Sequence, residues 1–306
     1  MTEATGGADP GPASRLTWRE LLAEVLDSLQ RAGSANAALD ARRLVAQASG
    51  HDDLGLVMHL GDHATERGVA HLDSMVRRRL QGEPLQYVLG SWGFRSLDLF
   101  LDHRVLIPRP ETEQLVEVAL AEYDRIEAAG SGGDRAALTV VDLGTGSGAI
   151  ALSIVVERRR ADVWATDRSV DALAVARANL AGIGRDASRV RIVEGTWFEA
   201  LPEGLAGAID LIVSNPPYVA DADPLPPEVE AWEPPAALRA GPEGRRDLTV
   251  IVEGAPRWLR GGGALVVELD PRQARAVARE MTEVGLDASV HQDLAGRDRI
   301  VVGRLD

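Results

Sequence analysis

Val140-Val141-Asp142-Leu143-Gly144-Thr145-Gly146-Ser147-Gly148-Ala149 decides the fold of this chain. An apolar run ending in an acid passes into a turn with glycine at alternate positions, and a helical pattern opens at Ala149. Glycines in such a turn let backbone approach a ligand closely, and the turn lies at the carboxyl end of a strand, where open α/β sheets bind ligands. Downstream, Val163-Trp164-Ala165-Thr166-Asp167 reads as a second strand ending in an acid. Asp167 comes roughly 20 residues after the glycines, the usual reach to a ribose diol. The string also satisfies G-x-G-x-x-A, so a nicotinamide dinucleotide fits the loop as well as any other nucleoside ligand does.

Outward from this loop, strands and helices alternate. Strands are expected near 139–143, 162–167, 190–194, 209–214, 263–268, 289–292 and 299–303, with helices near 149–158, 170–180, 246–259 and 272–284. This alternation predicts an α/β domain over 108–306 with a doubly wound, mostly parallel seven-stranded sheet. A short Gly-containing loop joins the last two strands, which are therefore expected to be antiparallel. Before this domain, residues 16–84 carry helical periodicity in Leu21, Leu22, Val25, Leu26 and Leu29, then over Ala37 to Ser49 and Thr65 to Leu80. Thr17 and Glu20 have capping-box spacing. Residues 85–107 read as a β-hairpin connector, followed by a helix from Glu111 to Ile126. Residues 1–15 are rich in Gly, Pro and Ala without a charged and apolar leader pattern, and are expected to be a disordered extension.

Composition narrows the function classes. The formal net charge is -14 and all 33 basic residues are arginine. Residues 16–90 hold ten acids and eight arginines, so no basic platform for nucleic-acid phosphates is expected there. Arg77-Arg78-Arg79 reads as a solvated helix face. Without cysteine there is neither a disulfide nor a thiolate nucleophile, and the six histidines lack ligand spacing, so no metal is expected. No apolar run is long enough to span a membrane, and a cytoplasmic protein follows by default.

A second loop carries the chemistry. Ile209-Asp210-Leu211-Ile212-Val213-Ser214 runs into Asn215-Pro216-Pro217-Tyr218. Two prolines stiffen the segment and remove two donors, leaving an amide side chain, bare carbonyls and an aromatic ring. A planar NH2 group can give one hydrogen to the Asn215 side-chain oxygen and the other to the Pro216 carbonyl, with Tyr218 against its face. Those contacts would aim the nitrogen at an electrophile on a neighbouring cofactor, so that positioning supplies much of the rate. A nitrogen that has been alkylated sheds its proton readily, and no strong general base is needed.

The two loops together resemble those of class I methyltransferases acting on planar amino or amide nitrogen. Adenine-N6 DNA, ribosomal-RNA guanine and protein glutamine methyltransferases share Asn-Pro-Pro-Tyr. Further segments are similar to the release-factor glutamine methyltransferase family: Glu83 to Gly90 (Glu-Pro-Leu-Gln-Tyr-Val-Leu-Gly), Leu106 to Glu113 (Leu-Ile-Pro-Arg-Pro-Glu-Thr-Glu), Gly195 to Phe198, Glu233 to Leu238 and Asp293 to Arg299. The resemblance covers about 83–304 and implies the glutamine of the Gly-Gly-Gln loop of class 1 peptide-chain release factors as substrate. It implies S-adenosylmethionine bound by Gly144, Thr145, Gly146, Ser147, Gly148, Asp167 and Trp197, with Asn215 touching cofactor and glutamine. Pro216, Pro217 and Tyr218 would hold the substrate, and catalysis would fall to Asn215, Pro216 and Tyr218. Residues 16–84 become a helical substrate-docking domain, and neither direct nucleic-acid binding nor membrane association is expected. By residue type alone Trp197 reads as core; the resemblance makes it a pocket wall. Arg109 and Glu111 either shape the active-site mouth or complement a helix N-terminus. Ala240 to Arg246 departs from the family's Gly-Gly-x-x-Gly-Leu pattern. Glutamine methylation of a ribosomal protein and amino methylation of DNA or rRNA are the alternatives.

Overall fold

Each of the seven strands expected beyond 138 is present in the computed structural model, which describes residues 13–130 and 137–306. The chain divides between Gly90 and Ser91 into two units, and each has its own core.

In the first unit, β1 (Ala13–Thr17) leads into α1 (Trp18–Arg31), α2 (Ala37–Ser49), α3 (Asp53–His59), β2 (His63–Thr65), α4 (Glu66–Leu80) and α5 (Leu85–Leu89). Thr17 and Glu20 form the expected capping box at α1. Such a cap is worth about 1 kcal/mol. Trp18, Leu21, Val25 and Leu29 of α1 are buried, as are Leu44 and Val45 of α2 and Leu72 and Met75 of α4. Three expectations need correction. The part of the 1–15 extension that falls on described residues is strand, because Ala13–Thr17 pairs antiparallel with His63–Thr65; 1–12 lie outside the described residues. The stretch 85–107 is a hairpin only over β3 (Ser91–Phe94) and β4 (Leu97–Phe100), while Leu85–Leu89 is a helical turn. Arg78 and Arg79 are not a solvated face. Arg78 donates to Glu83 and to the carbonyls of Tyr87 and Val88, and Arg79 to Asp40 and the Glu83 carbonyl, which ties α4 to α5 and α2.

The second unit starts with that hairpin and α6 (Pro110–Ala129). Then follow β5 (Leu138–Leu143), α7 (Ala149–Glu157), β6 (Ala161–Asp167), α8 (Val170–Gly182), β7 (Val190–Glu194), β8 (Ile209–Ser214), α9 (Pro227–Trp232), α10 (Arg246–Trp258), β9 (Leu259–Glu268), α11 (Ala274–Glu283), β10 (Asp287–Gln292) and β11 (Asp298–Arg304). The sheet order is β10-β11-β9-β8-β5-β6-β7. Strands β7, β6, β5, β8 and β9 are mutually parallel, and β11 runs antiparallel to both β9 and β10. Val140, Val141, Leu143, Leu211, Ile212, Val213 and Ala264 to Val267 are fully buried, as strands covered by helices on both faces require.

The topology places the site. From β5 the chain winds one way through β6 to β7 and later the other way through β8 to β9. The carboxyl ends of β5 and β8 therefore flank the point where strand order reverses, the crevice in which such sheets bind ligands. Among the described residues, no helix is long and apolar enough to cross a membrane.

Candidate active site

The two loops singled out in sequence leave adjacent strands. The Ser214 hydroxyl at the end of β8 donates to the Leu143 carbonyl at the end of β5 at 2.6 Å, tying their roots together. A cleft open to solvent lies over them. Gly144, Thr145, Gly146, Ser147, Asp167, Trp197, Asn215 and Pro217 all line it. Gly148, Pro216 and Tyr218 do not. Gly148 caps α7 in the left-handed conformation, Pro216 is buried, and Tyr218 turns its hydroxyl toward Glu268.

The glycine loop is held by the ends of β5 and β6 and by Asn179 of α8, whose Nδ2 donates to the Ser147 carbonyl at 2.8 Å. The Gly144 and Thr145 N–H groups donate to the Thr166 carbonyl at 2.9 and 2.8 Å, and Gly148 N–H to the Thr145 carbonyl at 2.8 Å. The Thr145 hydroxyl donates to Asp142 Oδ2 at 2.6 Å, which also accepts from Ala151 N–H at 3.1 Å. Asp167 accepts from Gly146 N–H through Oδ2 and from Ser169 N–H through Oδ1, both at 2.9 Å. A carboxylate has about four lone-pair sites, so Asp167 can still accept from a ligand in the cleft. Burial raises the carboxyl of Asp167 above its ordinary range and pushes that of Asp142 up to about 7. Trp197 stands against Gly144, where a Cβ would meet the indole at 3.2 Å. Gly144 has φ +76°, which suits glycine, and Trp197 itself holds φ +48°. A non-glycine residue there is uncommon and signals a position imposed by its surroundings.

The Asn215 loop is held from far away in sequence. Asn215 Nδ2 donates to Thr112 Oγ1 at 3.0 Å, Thr112 Oγ1 donates to Glu268 Oε2 at 2.9 Å, and the Tyr218 hydroxyl donates to Glu268 Oε1 at 3.3 Å. Burial pushes the Glu268 carboxyl up to about 7, and burial together with Glu268 raises the Tyr218 phenol. Past Tyr218 the backbone is clamped by the segment that departs from the family pattern. Val219 N–H donates to the Leu238 carbonyl, Ala240 N–H to Val219 and Asp221 N–H to Gly241, while Gln273 Nε2 donates to the carbonyls of Tyr218 and Gly244. Gly244, at φ +67°, sits so close that a Cβ would lie 2.4 Å from the Tyr218 carbonyl oxygen.

Arg104, Val105, Leu106 and Pro108 form one wall of the cleft, and Pro234, Ala236 and Ala237 another. Glu233 links these walls, its buried carboxylate accepting from Ile107 N–H at 3.1 Å and from Arg109. Glu111 pairs with Arg297. Arg109 and Glu111 thus fasten the start of α6 to Glu233 and Arg297. Sequence reasoning missed Thr112 and Glu268. A usable signal existed for Glu268, an acid closing the apolar run Ala264 to Val267, the same feature that marks Asp167.

Comparison with known proteins places the chain in a family. A family model described as the PrmC N-terminal domain matches residues 20–90, and one described as a methyltransferase small domain matches 133–226. A release factor glutamine methyltransferase of Cereibacter sphaeroides is 40% identical over 289 residues, covering 94% of this chain and 98% of that one. The chain belongs to the release factor glutamine methyltransferase family. Its relative of the same name in Deinococcus radiodurans is 38% identical over 94% of this chain and 98% of its own. Among solved structures, the hMettl16 catalytic domain, in complex with MAT2A 3'UTR hairpin 6, superposes with a TM-score of 0.51 at 14% identity, covering 80% of this chain and 84% of that one; the likeness is one of fold. The family assignment makes the chain a methyltransferase, and the cleft over β5 and β8 is the candidate site for the transfer.

Proposed function

We propose that this chain transfers a methyl group from S-adenosylmethionine to the side-chain nitrogen of the glutamine in the Gly-Gly-Gln loop of class 1 peptide-chain release factors. The observation that carries the reading is the state of Asn215. Its NH2 end is engaged by Thr112, which leaves Oδ1 as the end available to accept from an amide NH2 brought to the cleft beside Gly146. Pro216 and Pro217 hold that group on stiff backbone, and the clamp at Gly244 and Gln273 fixes the chain beyond Tyr218.

The residues present fit the cofactor. Gly144 lets the Trp197 ring approach closer than a Cβ there would comfortably permit, giving a flat wall for an adenine, and Asp167 faces the same cleft with acceptors for a ribose diol. S-adenosylmethionine, when bound, supplies a methyl group on a positively charged sulfur. A diphosphate suits this loop poorly. The Gly146 N–H that it would need already donates to Asp167, and the carboxylates of Asp142 and Asp167 lie beneath and beside the loop. That disfavours the dinucleotide left open by the glycine spacing. The first unit, matched by the PrmC N-terminal family model, is the substrate-docking part in this reading.

The test is incubation of purified protein with methyl-labelled S-adenosylmethionine and a class 1 release factor, followed by mass spectrometry of the Gly-Gly-Gln peptide. One added methyl on the glutamine is expected. Label appearing only on a ribosomal protein, DNA or rRNA would move the assignment to that substrate.

A further inference from the structure

Glu268 closes β9 under the Asn215 loop, only 1% exposed, and the function proposed above assigns it no part. Its oxygens accept from two hydroxyls on different elements, Thr112 at the start of α6 and Tyr218 after β8. Thr112 in turn accepts from Asn215 Nδ2. A hydroxyl has a single proton. While the Thr112 proton points at a carboxylate, the oxygen offers Asn215 only lone pairs, so the amide turns its NH2 toward Thr112 and its Oδ1 the other way. We propose that Thr112 and Glu268 are positioning residues forming a polarity relay, which sets the Asn215 amide with its oxygen toward the nitrogen to be methylated. The relay rests on the reading of Asn215 as the acceptor for a substrate amide.

The relay has two states. Ionised Glu268 can only accept, and it orders the chain Asn215 to Thr112 to Glu268 as observed. Protonated Glu268 can instead donate to Thr112, which frees the Thr112 proton to point at Asn215. The amide then turns over and presents NH2 to an incoming NH2, donor against donor. The groups around the carboxyl act in opposite senses. Desolvation and Glu111 of α6 favour the protonated form, whereas Arg299 of β11 and the hydroxyls of Thr112 and Tyr218 favour the ionised one, with the balance at about 7.

The experiment uses the full chain, S-adenosylmethionine and a class 1 release factor. Thr112→Val removes the hydroxyl at nearly constant volume, and kcat should fall by about tenfold or more while the calorimetric Kd for S-adenosylmethionine stays within about twofold. Thr112→Ser, which restores the hydroxyl, should recover most of the rate. Wild-type kcat should fall as pH drops through about 7, the ionisation of Glu268, and Glu268→Gln should lack that limb because its amide oxygen accepts from Thr112 at every pH. If Thr112→Val loses cofactor binding through misfolding, the pH limb decides alone. Full kcat in folded Thr112→Val, or an unchanged acid limb in Glu268→Gln, overturns the relay. A wild type that binds cofactor yet labels no release factor overturns the reading beneath it.

Discussion

The loops after β5 and β8 share a crevice but are built on opposite principles. Gly144 to Gly148 is fixed by its own strand, the neighbouring Thr166 carbonyl, Asp167 and Asn179 of α8, with backbone and side chains sharing the contacts. Asn215 to Tyr218 is fixed by proline stiffness and by side chains on α6, β9 and the residue before α11. The first arrangement makes a surface that a ligand rests against. The second aims one functional group, and aim depends on everything behind it. Changes to the first loop should therefore act on cofactor affinity, and changes to the second on turnover.

The sharpest attempt to break that contrast is Asn215→Ala. Loss of one preorganised hydrogen-bonding partner of the reacting group should lower kcat by about 100- to 1,000-fold, with cofactor Kd changed far less. A Kd that collapses together with kcat would show that the two loops are not separable. The converse variant is Gly144→Ala, which places a methyl 3.2 Å from Trp197 at φ +76°. It should weaken S-adenosylmethionine binding by about tenfold, with a stability cost of about 1 kcal/mol. Gly244→Ala tests the remote support of the second loop. Its Cβ has no room beside the Tyr218 carbonyl, and about 2–3 kcal/mol of stability should be lost in denaturant titration together with part of kcat. Arg109→Leu leaves buried Glu233 with Ile107 N–H as its remaining partner across the cleft walls, and should cost about 1–2 kcal/mol because Arg109 is itself partly solvated.

The last effect is thermodynamic and is read against pH, not activity. The folded chain keeps a proton on Glu268 until about pH 7, whereas an ordinary glutamate releases it near 4.5. The folded state binds more protons between those values, so stability should fall as pH rises through them and then level off, by at most about 1.4 kcal/mol per pH unit for one group. Asp142 adds a parallel contribution up to about 7. Urea titrations at pH 5 and 8 should show a shallower decline for Glu268→Gln than for wild type.

The same contrast explains what could be read from residues alone. β8 was legible to its last residue because an apolar strand bounded by Asn-Pro-Pro has no other plausible end. β9 starts at Leu259 and not near 263 because its pairing with β8 shifts register between Ile209 and Leu211, absorbing glycines that read as a loop. α3 carried no helical signature, since Leu56 is buried while Leu54, Val57 and Met58 face solvent. The glycine loop, Asp167 and Asn215 were visible because their requirements are local. Thr112 was not, because its part in the site comes from three chain segments meeting; Glu268 carried only the mark of an acid closing an apolar strand, which says nothing of the partners it meets. The Gly244 clamp was hidden for the same reason, in a segment that departs from the family's Gly-Gly-x-x-Gly-Leu pattern.

The Gly146 N–H that donates to Asp167 has a consequence for selectivity among metabolites. ATP and NAD carry the same adenosine group as S-adenosylmethionine and compete for any pocket that reads adenosine alone. Here the place where their phosphates would settle offers an acid and a donor already engaged, which weighs against both and favours a ligand that carries no phosphate.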